Sequence, residues 1–238
     1  MWWSFCSPKA GLGTSVVAVA TALQLAKAQP SSEVIVADFG GDQPDLLGVD
    51  ASGRSGIVDW LGSGPDVSTD ALRHLLVDVA PGVALLPRGV GRLANNIDPH
   101  RCFELARAFP RSIVIADLGA LEAEPTFATS LIAAKGHHTT VVVRACYLAL
   151  RRASGLPVEF ESVVEIVEPG RALNSLDIEL VLNRPVTTRI RIDPAIARVV
   201  DAGLLAARPP RHLRRAIKSL IDQVGPLEVA TLDAAVMS

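Results

Sequence analysis

The chain has little cysteine, no strong excess of charge and no apolar run of membrane-spanning length. Its three cysteines, Cys6, Cys102 and Cys146, are scattered. That spacing fits neither a disulfide framework nor a metal site, so the thiols read as ordinary buried side chains of a protein from a reducing compartment. The formal net charge is −2, which provides no global basic field to hold nucleic acid. No stretch reaches the roughly 20 apolar residues of a transmembrane helix. The N-terminal residues lack a signal-peptide pattern, because Lys9 and the glycines after it interrupt the apolar entry. A cytoplasmic protein is therefore expected. Internal repeats and low-complexity segments are missing as well.

What is present is enough apolar material for a substantial core: 49% of 238 residues, against 20% charged, a balance that excludes disorder as the main state. About seven short apolar runs, at residues 2–6, 33–38, 82–87, 111–119, 139–144, 162–168 and 186–192, alternate with helical stretches. Runs rich in Val and Ile without polar alternation suit strands buried on both faces. The expected fold is α/β: a doubly wound, mostly parallel sheet of about seven strands with helices on both faces. One domain is expected over residues 1–224, followed by a tail at 225–238.

The first 29 residues organise the rest. An apolar strand (Trp2, Trp3, Phe5, Cys6) leads into a loop of small residues, and from Ser15 a run without Gly or Pro reads as a helix. Strand, small-residue loop and helix form the geometry of a phosphate-binding loop, in which loop amides and the positive end of the helix dipole face an anion. Measured against G-x-x-x-x-G-K-[ST], Pro8 stands at the first Gly, Gly13 keeps the second, Thr14 replaces the Lys and Ser15 keeps the hydroxyl. Lys9 comes early in the loop. Two later strands end in carboxylates, EVIVAD at Asp38 and SIVIAD at Asp117. Ligands of open α/β sheets bind beyond such strand ends, where a carboxylate can serve a metal ion or an attacking water.

The loop K-A-G-L-G-T-S resembles the deviant Walker A loop of the MinD/ParA family of P-loop ATPases. The resemblance runs through Asp38 and Asp117 to the segments around Cys146 and Asp193, and is nearest to CpaE/TadZ-like and actinobacterial MinD-like proteins. It implies ATP with Mg2+ held by Lys9, Ala10, Gly11, Leu12, Gly13, Thr14 and Ser15. Ser15, Asp38 and Asp117 would serve the metal. Lys9 and Asp38 would take the catalytic parts, Lys9 reaching phosphate across a homodimer interface. It further implies protein partners in a positioning or pilus-assembly system, and no specific nucleic acid. Hydrolysis should be slow or absent, because Thr14 brings no cation to the transferring phosphoryl group. The alternative is a nucleotide-free scaffold for protein interaction, the direction in which Ala10, Thr14, Gly40 and Glu168 all point.

Several other residues have ordinary readings. The family's second acidic residue after Asp38 is Gly40 here. The family's strand-ending Asn is Glu168, and Asn183 is left without a role toward the base. Arg88 and Arg92 are candidates to touch phosphate or a partner, with a solvated loop over residues 88–96 the preferred reading of each. Arg144 and Arg151 are candidates for anion contact, with the basic outer face of a helix the preferred reading. Residues 121–135 would hold a switch region and a helix. Residues 212–224 form an amphipathic helix with Arg214, Arg215 and Lys218 on one face, read as a cover for the sheet in preference to a peripheral membrane contact.

Overall fold

The computed structural model describes residues 1–64, 66–92, 97–121, 131–132 and 138–225. The strands are β1 (Trp2–Ser7), β2 (Glu33–Asp38), β3 (Val77–Ala80), β4 (Val83–Leu86), β5 (Ser112–Ala120), β6 (His138–Val143), β7 (Ser162–Val167) and β8 (Thr188–Arg191). The helices among the described residues are α1 (Thr14–Ala28), α2 (Gln43–Leu47), α3 (Ile57–Leu61), α4 (Ala71–His74), α5 (Pro99–Arg107), α6 (Tyr147–Ala153), α7 (Ser175–Leu182), α8 (Pro194–Asp201) and α9 (Arg211–Val224).

All eight strands lie in one sheet, in the order β3-β4-β2-β5-β1-β6-β7-β8. Every described pairing is parallel except β3 with β4. The doubly wound sheet is thus the expected one, with eight strands in place of about seven. The added strand, β3, is a short antiparallel edge whose residues are half-buried or exposed. It turns back through Pro81 and Gly82, and Gly82 has φ 75°.

β1 is central. Its side chains alternate between the two faces, so Trp2 joins one hydrophobic cluster with Ile35, Val114 and Phe109, while Trp3 joins the other with Val34, Ile113 and Val142. Because β1 is buried along its whole length, the loop at its carboxyl end has a fixed foundation. β5 and β6 flank it, and the carboxyl end of β5 in turn neighbours that of β2. Asp38 and Asp117 are register partners across β2 and β5.

α9 packs against α1 and β8. Leu213, Ile217 and Leu220 are fully buried in the cluster that contains α1 residues Val17 and Leu25, whereas Arg211, Arg214, Arg215 and Lys218 are exposed. The apolar face of this helix is therefore spent on the sheet, as the sequence suggests. The expectations for residues 93–96, for most of residues 121–135 and for the tail beyond Gly225 lie outside the described residues.

Candidate phosphate loop and carboxylate pair

The loop between β1 and α1 is pinned at its entrance and open at its exit. The Ser7 hydroxyl lies 2.9 Å from the Lys9 carbonyl oxygen and 3.3 Å from that of Gly119, and the Leu121 N–H donates to the Ser7 carbonyl at 2.8 Å. Leu12 is buried, anchoring the loop to the core. Gly11 and Gly13 have φ 76° and 87°, a region that costs a residue with a Cβ roughly 1–2 kcal/mol. Ala10 is not among the positive-φ residues, so alanine in that place leaves the turn intact. Gly13 caps α1 with no side-chain hydrogen bond, and no acidic residue occupies the first turn. Since the first N–H groups of a helix lack intrahelical acceptors, this end suits an anion.

The two cationic positions of such a loop are spent differently here. Thr14, where a lysine is usual, is only 5% exposed and brings no charge. The Lys9 ammonium donates to the Ala10 carbonyl at 3.2 Å.

Beside the loop, on the β5 side, Asp38 and Asp117 are both fully buried, and Gln43 is buried with them. The Gln43 side-chain amide donates to Asp117 Oδ2 at 2.7 Å and to the Ser15 carbonyl at 3.1 Å. Asp117 also accepts from the Gly119 N–H at 3.1 Å and from the side chain of Ser15. Asp38 accepts from the backbone N–H groups of Gly41 at 2.7 Å and Gln43 at 3.3 Å. Ser15, Asp38 and Asp117 are thus brought together, with Gln43 as the hub that sequence reading missed. Gln43 sits at the start of a short helix with Pro44 behind it, where nothing in the pattern sets it apart from a turn residue.

Burial pushes the Asp38 carboxyl up to about 7, reinforced by the charges of Asp117 and Asp42 and opposed by the two backbone donors. Burial likewise raises Asp117, against the bonds from Ser15 and Gln43. The pair is a poorly solvated pocket of carboxylates, and among the described residues no cationic side chain pairs with either. A Cβ on Gly40 would lie 3.7 Å from Asp117 Oδ2 and 3.8 Å from Asp38 Oδ1. A second acidic residue there would press a third charge on the pair. Asp42 is an exposed helix-start residue.

On the other side of β1 the structure corrects the preferred reading of Arg144, the basic outer face of a helix. Arg144 precedes α6 and does not belong to its outer face. Its guanidinium turns onto the loop, Nη2 lying 3.4 Å from the Gly11 carbonyl and Nη1 3.2 Å from Glu168 Oε2. Glu168 also receives two bonds from Arg171, at 2.8 and 2.6 Å. Arg151 is exposed on α6, as expected, and with Lys9 borders a separate cleft. Arg88 folds back to donate to the Gly91 carbonyl at 3.1 Å. Asn183 has a structural role: at φ 48° it is the left-handed residue that ends α7. A groove of about 300 Å³ begins at Gly11 and Gly13, passes Arg144 and continues between Ile166, Ile190 and Ile196.

No family model matches the sequence, and no curated protein matches it. The fold does match solved structures over nearly the whole chain. A ParA family ATPase from Chlorobium tepidum superposes with TM-score 0.72 at 22% identity, covering 91% of this chain and 96% of that one. The septum site-determining protein MinD of Pyrococcus horikoshii, complexed with Mg-ADP, gives TM-score 0.72 at 18% identity, over 94% and 95%. A variant McdA of Cyanothece, in complex with ATP, gives TM-score 0.70 at 12% identity, over 95% and 97%. These structural neighbours are ParA/MinD-type ATPases, and the chain shares their α/β fold. Among the described residues no helix is long and apolar enough to cross a membrane.

Proposed function

We propose that the chain is a MinD/ParA-type ATP-binding protein, a cytoplasmic switch that dimerises with nucleotide bound and helps place a cellular machine such as a division, partition or Tad-type pilus apparatus. The observation that carries this reading is the placement of Ser15, Gln43, Asp38 and Asp117 in one buried network beside the uncapped start of α1.

Loop amides from Lys9 to Ser15 would cradle the β-phosphate, helped by the helix dipole. The groove lined by Ile166, Ile190 and Ile196 offers an apolar slot for the base, and Glu168 reaches its lining through the bond to Arg144. The donor set at the carboxylates fits Mg2+. It is all oxygen, a hydroxyl and two carboxylates, and among the described residues no cluster of three or more His, Cys, Asp or Glu forms a complete cage. Mg2+ is characteristically held by one or two carboxylates plus phosphate and water. Bound there, the ion would neutralise charge on the terminal phosphates. Ser15 would hold it, and Asp38 and Asp117 would orient its shell and polarise an attacking water. Thr14 supplies no positive charge to the transition state, so turnover should be slow or absent. The buried Thr14 is also what favours the second reading, a non-hydrolysing or nucleotide-free scaffold for protein interaction.

Mass in solution tests the switch. With Mg-ATP the chain should approach twice its monomer mass, and with ADP it should not. Lys9→Ala should weaken the ATP-dependent dimer, since this lysine is the candidate contact across the interface. A wild-type mass that is the same with ATP, with ADP and without nucleotide would count against the proposal, and an unaffected Lys9→Ala dimer would remove the role given to Lys9.

A further inference from the structure

The loop lacks the cation that usually sits at its end, yet a guanidinium stands against it. Three observations place Arg144 there. First, the sheet order β2-β5-β1-β6 puts Asp38 and Asp117 on one flank of the loop and Arg144, which directly follows β6, on the other. An anion on the loop would lie between the metal-side carboxylates and this guanidinium. Second, Arg144 is held and incompletely satisfied. Its side chain is 22% exposed, and its Nε is buried with no partner among the described residues. Its contact with the Gly11 carbonyl, 3.4 Å, is at the long end for a hydrogen bond. Third, among the described residues Arg144 has one ion-pair partner and does not have it to itself. It shares the single carboxylate of Glu168 with Arg171, so two guanidinium groups face one acid.

The geometry points to Arg144 as the phosphate-binding cation of this site, a guanidinium delivered from the neighbouring strand that replaces the lysine missing at Thr14. This rests on the nucleotide-binding reading above and deepens it. When a polyphosphate enters the loop, Arg144 exchanges its weak bond to the Gly11 carbonyl for a charge-assisted bond to a phosphate oxygen, which is shorter and about twice as strong. Glu168, itself held by Arg171, keeps the guanidinium from swinging into solvent. Lys9 stays free for its own part, because Arg144 approaches from the β6 side. A guanidinium also suits the place better than an ammonium would: its planar fork can keep Glu168 on one nitrogen while offering the other to phosphate.

The test is titration of the full chain with Mg-ATP, inorganic triphosphate and adenosine, for wild type, Arg144→Gln, Arg144→Lys and Arg171→Gln, with thermal unfolding of each. Arg144→Gln should lose affinity for Mg-ATP and for triphosphate by about tenfold to a hundredfold, leave adenosine binding unchanged, and reduce the salt dependence of ATP binding. Arg144→Lys should recover part of the loss, and Arg171→Gln should lose much less. ATP affinity unchanged in Arg144→Gln would overturn the proposal. So would an equal loss for adenosine and ATP, because a residue that merely shapes the loop would affect both. A wild-type chain that takes up none of the three ligands would instead overturn the nucleotide-binding reading itself, and this inference with it.

Discussion

Asp38 is the residue on which stability and function pull in opposite directions. Its carboxyl titrates at about 7 in the folded chain against 3.8 for the free group, chiefly because burial penalises the ion. A carboxyl with a raised folded pKa favours the folded state fully only below its unfolded value. As pH climbs from about 4 through about 7, the folded state loses that advantage, by a penalty on the order of 4 kcal/mol at most. Asp38→Asn removes the ion while keeping an acceptor for the Gly41 N–H. It should therefore raise the unfolding temperature most at pH 8, by a smaller amount at pH 5, where only the first part of the penalty has accrued, and hardly at all below pH 4, where the carboxyl is protonated in both states. The same stabilisation at all three pH values would show that the buried charge is not the cause. The variant should also lose Mg2+-dependent nucleotide affinity, and the wild type should lose it progressively below pH 7, as protons compete with the ion. Asp38 and Asp117 could be found in the sequence because each ends an apolar strand. Gln43 could not, since its importance comes from burial against Ser15 and Asp117, and nothing local to residues 42–45 encodes that. For Arg144 the sequence offers both anion contact and a basic helical face, and the helical face is the wrong preference because α6 begins only at Tyr147.

At the scale of elements, α9 decides between a helix that covers the sheet and one that lies on a membrane. Its apolar positions, Leu213, Ile217 and Leu220, are buried against α1 and β8, and the helical spacing of four and three that places them is legible in the sequence. Ile217→Ala should cost about 2–5 kcal/mol in denaturant unfolding and leave retention on anionic vesicles unchanged. A near-neutral effect on stability would mean that the helix can leave the sheet, and would reopen the membrane reading. α1 was recognised from its lack of Gly and Pro, with no apolar stripe to help, because it is buried on most sides and so is apolar nearly all round. β3 escaped for the opposite reason. Four half-exposed residues, Val77–Ala80, carry too little apolar signal, and the strand exists because the Pro81–Gly82 turn lays it along β4.

For the whole molecule, the alternation of apolar runs and helices was enough to give a doubly wound parallel sheet, but not the order of its strands. The order is what matters for the site. Setting β1 between β5 and β6 gives the loop two acidic residues on one flank and a guanidinium on the other, although these residues are more than 20 positions apart in the chain. A loop with Pro8 and Thr14 in unusual places thus supplies amides, while its neighbours supply the charges. The central claim is that this assembly binds ATP with Mg2+. The most direct test is calorimetric titration of the purified chain with ATP and ADP, each with and without Mg2+. The account predicts saturable ATP binding that strengthens when Mg2+ is present. No heat and no binding at millimolar ATP, with or without Mg2+, would contradict it and leave the fold as a scaffold for protein partners.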